Sequence, residues 1–71
     1  MNSAEFSLKI YEEILKFSKE NNTSFRKISK EIDVKYTTFM TWIDNLKSGK
    51  CISVENILKI QKYIGKNFFA N

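Results

Sequence analysis

Apolar residues recur at spacings of three and four along most of this chain, and the interruptions between the runs mark out helices. Over residues 3–20 the apolar positions Phe6, Leu8, Ile10, Tyr11, Ile14, Leu15 and Phe17 spread over an arc of roughly 200° at helical periodicity. Ser3 stands where an N-cap belongs, and Glu5 falls in the first turn, where the helix dipole favours an acid. A helix packing on a single core needs about half of that arc. The surplus predicts a second contact, either a partner subunit or the C-terminal tail folding back. A helix sunk deep in a small core is the simpler alternative.

Asn21-Asn22-Thr23 interrupts the pattern, and Ser24 or Thr23 can cap a second helix over residues 25–32. Phe25, Ile28, Ser29 and Ile32 fall on one side of it, at helical offsets. A third helix over 35–46 carries the inner stripe Phe39, Trp42 and Leu46, with Ile43 at its edge. Between them Asp33-Val34 leaves room only for a turn. Aspartate is among the few non-glycine residues that tolerate a left-handed conformation there, and Val34 is the apolar plug. Two short amphipathic helices joined this way are the sequence form of a helix-turn-helix, here spanning 24–46.

Lys47-Ser48-Gly49-Lys50-Cys51-Ile52 reads as a loop, with Gly49 stopping the third helix. Ser53 caps a fourth over 54–64, which sets Val54, Ile57, Leu58, Gln61 and Ile64 on one face and ends at Gly65. The adjacent Phe68 and Phe69 in the tail predict docking, on the domain or on a second subunit. With no proline, no repeat and no low-complexity stretch, nothing argues for a linker. The expected architecture is all-α: one domain over residues 1–71, a small bundle of four to five helices containing the helix-turn-helix.

Charge narrows the function. Twelve Lys and Arg against eight Asp and Glu give a net charge of +4 and a pI of about 9.3, which favours polyanionic partners, nucleic acid before anionic membrane. The cations also cluster. Arg26, Lys27 and Lys30 lie opposite the apolar side of the second helix, where Glu31 is the only acid. The outward side of the third helix presents Tyr36, Thr37, Met40, Thr41 and Asp44. The first four are uncharged groups able to donate, accept or touch methyls, as base edges in a major groove require. Asp44 is an objection, since it would repel phosphate unless the far end of the helix leaves the groove or the carboxylate accepts from a cytosine amino group.

The chemistry of catalysis is thin. There is no histidine and a single cysteine, Cys51, so a metal site, an internal disulfide and a nucleophile–base pair are not expected, and neither is a cofactor. No apolar run approaches the ~20 residues of a membrane span, and the N-terminus lacks the pattern of a signal peptide. A cytoplasmic protein that is not an enzyme is expected, with no small-molecule effector domain in this chain.

Residues 24–64 resemble the Xre/Cro/phage-repressor class of helix-turn-helix proteins, and 24–45 also resemble the lactose-repressor headpiece. The likeness rests on the Ser24 cap, Phe25, Ile28 and small Ser29, then Ile32-Asp33-Val34 at the turn. Tyr36-Thr37-Thr38-Phe39, Trp42-Ile43 and Ser53 to Ile60 follow it. Four features depart from the family: Ser29 replaces alanine and Asp33 replaces glycine, both physically compatible. Lys35 stands where the family has Ser or Thr as N-cap, a loss of ~1 kcal/mol. The loop between Trp42 and Ser53 is also longer.

The resemblance implies sequence-specific binding of double-stranded DNA by a small transcriptional regulator, a repressor of phage or mobile-element type. Base contacts would come from Tyr36, Thr37, Met40 and Thr41, and phosphate contacts from Ser24 and Arg26. Charge and position add Lys30, Lys35, Lys47 and Lys50. A homodimer is expected, with Phe6, Ile10, Phe68 and Phe69 at its interface. The alternative is a protein-binding module on the same scaffold, an inhibitor or antitoxin with little DNA binding.

Overall fold

The computed structural model describes residues 2–69 and contains four helices: α1 (Ser3–Glu20), α2 (Phe25–Glu31), α3 (Tyr36–Lys47) and α4 (Val54–Ile64). Among the described residues there is no strand, and no helix is long and apolar enough to cross a membrane. The fold is a small all-helical bundle containing a helix-turn-helix at α2 and α3.

The helix starts follow the capping residues with one correction. Asn2, not Ser3, caps α1, its Oδ1 accepting from the Glu5 amide at 2.8 Å. Asparagine caps as well as serine, and taking it leaves Ser3 as the first helical residue. Ser24 caps α2 by accepting from the Lys27 amide at 3.1 Å, and Ser53 caps α4 by accepting from the Asn56 amide at 3.3 Å. Lys35 holds the equivalent place before α3 and forms no side-chain cap.

The first three helices end alike, in a left-handed residue that lets two backbone amides reach back for orphan carbonyls. After α1, Asn22 has φ +49, and the Thr23 amide donates to Ser18 O at 3.0 Å. After α2, Asp33 has φ +59, as its tolerance of that region foretold. Its amide donates to Lys30 O at 3.1 Å and the Val34 amide to Ser29 O at 2.9 Å. After α3, Gly49 has φ +80, and the Lys50 amide donates to Asn45 O at 2.8 Å. A Cβ on Gly49 would stand 3.2 Å from Ala4 Cβ, so this loop lies against the start of α1. Cys51 adds to that seam, with Sγ 3.2 Å from the Ser7 hydroxyl.

The core is built from Ile10 and Ile14 of α1, Ile28 of α2, Phe39, Trp42, Ile43 and Leu46 of α3, Ile57 and Ile60 of α4, and Phe68 of the tail. Burying each such side chain contributes about 1.5–3 kcal/mol. Phe39 sits in the middle of the aromatic packing, meeting Phe25 edge-on at 6.0 Å and Trp42 at 6.1 Å. α3 packs on both α1 and α2. Ser29 is buried as well, its hydroxyl donating to Arg26 O at 2.7 Å, so the polar group is satisfied inside.

The surplus apolar arc of α1 is explained by the tail. Tyr63 at the end of α4 meets Phe17 at 5.2 Å; the chain then turns at Gly65 and runs back along α1, where Lys66 pairs with Glu13 at 3.3 Å and Phe69 meets Phe6 at 5.5 Å. The Phe68 amide donates to Gln61 Oε1 at 3.0 Å, which anchors the reversal. Two of the expected dimer contacts are thereby corrected. Ile10 is fully enclosed and Phe68 is 4% exposed, so both belong to the chain's own core and present nothing to a partner. Phe6 is half-buried under Phe69, which alone of the four stays substantially open, at 48%.

Candidate nucleic-acid interface

The outer side of α3 divides into a front of small polar groups and two charged ends. Thr37, Thr38, Thr41 and Asp44 are exposed, whereas Met40 is half-buried and packs against the core. The Thr41 hydroxyl donates to the Thr37 carbonyl at 3.1 Å. That bond uses its only proton, so toward a ligand Thr41 offers a methyl and an acceptor. Thr37 keeps both hydroxyl functions. Thr38, which the apolar spacing did not single out, is exposed beside it.

At the start of α3 the structure brings together four of the residues marked by the sequence. Arg26, Lys30, Lys35 and Tyr36 line one concavity of about 570 Å³ between α2 and α3, with Asp33 at its edge. The Arg26 guanidinium lies over the Tyr36 ring, 4.1 Å from its centroid, close enough for a cation–π contact. Tyr36 is therefore half-covered by a cation and not a free outward side chain. Ser24 is exposed at the head of α2, where its oxygen is engaged in the cap while its proton stays available. The uncapped α3 leaves its first-turn amides without a side-chain acceptor, and their partial positive charge adds to this end.

Lys47 and Lys50 are exposed at the other end of α3, roughly 18 Å from Lys35 at 1.5 Å per residue. They do not join the first cluster; they flank the threonines from the opposite side. Among the described residues the one ion pair is Lys66 with Glu13, so none of Arg26, Lys30, Lys35, Lys47 and Lys50 is held in an ion pair, although Asp33 lines the same concavity as the first three. The result is a polar front about three helical turns long, bracketed by cations.

Comparison with known protein families, characterised proteins and solved structures finds no match for this chain.

The functional reading thus stands on geometry. Sequence spacing marked the cations and the threonines but not the Arg26–Tyr36 stack, because ten positions of chain separate them and only the turn geometry brings them into register. The signal available was weak: an arginine at the second position of α2 and an aromatic at the first of α3, around a turn of fixed length.

Proposed function

We propose that this protein binds double-stranded DNA sequence-specifically, as a small transcriptional regulator of repressor type, with α3 lying in the major groove. The observation that carries this reading is the bracketed front of α3: Thr37 and Thr41 exposed between Arg26, Lys30 and Lys35 at one end and Lys47 and Lys50 at the other. The cations supply the salt-dependent part of affinity that ignores sequence, and the threonines supply hydroxyl and methyl contacts to base edges. Met40 contributes through its outer edge only. Asp44 sits two turns from Tyr36, near the end that leaves the groove. The reading places the protein in the cytoplasm.

A homodimer belongs to this proposal in revised form. With Ile10 and Phe68 enclosed, the open apolar side chains are Leu8, Val54, Leu58 and Phe69. A second copy docked through one of these must set the two reading helices about 34 Å apart to meet a near-palindromic site.

One observation favours a second reading, a protein-binding module. Val54 and Leu58, 59% and 46% exposed and one turn apart on α4, form an apolar step outside α3. Salt dependence separates the two. On the first reading, affinity for duplex DNA falls steeply with salt, Arg26→Ala weakens all sequences alike, and Thr37→Ala changes the preferred sequence. An absence of duplex binding at low salt, with Val54→Ser or Leu58→Ser abolishing a protein interaction, supports the second.

A further inference from the structure

We infer that the concavity between α2 and α3 is a seat for a single phosphate group and that Tyr36 is its positioning residue, holding Arg26 in place. It rests on the DNA reading only for the source of the phosphate. Three observations combine. The concavity of about 570 Å³ is large enough for a phosphate with water and is lined by Arg26, Lys30 and Lys35. Among the described residues, none of these cations is in an ion pair with a carboxylate. The Arg26 guanidinium lies over the Tyr36 ring, 4.1 Å from its centroid, a cation–π contact that restrains the side chain.

The consequence is chemical. A guanidinium held over a ring keeps its N–H donors in its own plane, from which one fork can grip two oxygens of the same phosphate. A free arginine must give up side-chain freedom to reach that pose; a stacked one has already done so. Lys30 and Lys35 add point charges from the two walls. Asp33, the one acid lining the concavity, opposes an anion there, and the three cations outweigh it. Tyr36 thus moves from the base-reading set to the phosphate-positioning set, and base discrimination narrows to Thr37, Thr41 and the edge of Met40.

The test uses the full chain and two ligands. The Arg26 side-chain Nε–Hε resonance is followed by NMR while inorganic phosphate is added, against sodium chloride at equal ionic strength. A saturating shift is expected in the wild type and in Tyr36→Phe, which keeps the ring. In Tyr36→Leu the phosphate affinity is expected to fall about five-fold, the scale of an exposed cation–π contact, and the upfield ring-current shift on the arginine protons should vanish. Arg26→Gln, which keeps the Tyr36 ring but removes the guanidinium over it, should lose the phosphate response of the Lys35 and Tyr36 amides. An Arg26 resonance that answers phosphate no more than chloride overturns the seat, and so does wild-type affinity in Tyr36→Leu.

The second ligand is a panel of duplexes of differing sequence. Tyr36→Phe should match the wild type on every duplex, and Tyr36→Leu should weaken all of them by a similar factor. A change in their ranking with Tyr36→Phe makes Tyr36 a base reader and overturns its positioning role. A saturable response to inorganic phosphate with no binding to any duplex supports the seat while removing the DNA reading.

Discussion

Replacing Lys35 with serine separates stability from binding at a single position. Lys35 has φ −57 and ψ 139, close to the φ −64 and ψ 152 of Ser53 and the φ −81 and ψ 160 of Ser24. The backbone is already set for a cap, and only the acceptor is missing. In the two serine-capped helices the hydroxyl accepts from the amide three residues on, at 3.1 and 3.3 Å; here that amide is Thr38's. Supplying the acceptor is worth ~1 kcal/mol, which raises the melting temperature of a domain this size by about 4–8 °C. The same substitution removes a cation from the α2–α3 concavity, so the salt slope of duplex binding should fall by about 1 as one phosphate contact is lost. Thermal melts by circular dichroism read the first effect, and affinity across a salt series reads the second. Lys35→Ala is the control, losing the charge without gaining the cap. A serine variant no more stable than the alanine variant would refute the capping argument. Unchanged salt slopes in both would remove Lys35 from the phosphate contacts.

Four further outcomes follow from the geometry. Thr23 is buried with an unpartnered Oγ1, so Thr23→Val, equal in shape, should stabilise by ~1 kcal/mol in urea unfolding. Gly65→Ala should cost about 1 kcal/mol from its left-handed backbone alone, since nothing lies within 4 Å of the added Cβ. Gly49→Ala should cost more, ~2 kcal/mol, because the same conformational penalty is joined by a contact with Ala4; equal losses in the two variants would contradict the loop's close seat on α1. Asp33→Asn keeps the tolerance of a positive φ and removes the acid at the rim of the concavity. Its melting temperature should stay near the wild type while duplex affinity rises a few-fold, and an unchanged affinity would put that rim away from the phosphates.

The parts of the fold legible in the sequence were those set by local rules. Ser24, Ser53, Gly49 and Gly65 bound their helices as residue chemistry requires, and Asp33 took the left-handed place in the turn. Misreadings arose where two local solutions compete or where distant segments meet. Asn2 and Ser3 are both good caps, and periodicity does not choose between neighbours. The wide apolar arc of α1 signalled a second contact, but only the folded chain shows it to be the tail, with Phe68 filling the core and Phe69 covering Phe6. Ile10 was assigned to a partner because an arc on a helical wheel does not say which part the rest of the domain encloses. The candidate interface divides in the same way. Exposed threonines and clustered cations could be read from residue types at helical spacing. The stacking of Arg26 on Tyr36 could not, because it depends on how two helices cross at a turn. Met40 shows the opposite limit: a position facing outward on the wheel is half-buried because the bundle wraps beyond the strict inner stripe.

On the proposed reading, the exposed front of α3, with the cations at its two ends, engages duplex DNA. Backbone amide shifts mapped by NMR, as a mixed-sequence duplex is added at low salt, test it most directly. The predicted result is a continuous set of perturbed residues through Ser24, Arg26, Lys30, Lys35, Thr37 and Thr41, reaching Lys47 and Lys50 and fading as salt is raised. Shifts centred instead on Val54, Leu58 and Phe69, or no shifts at all, would contradict it.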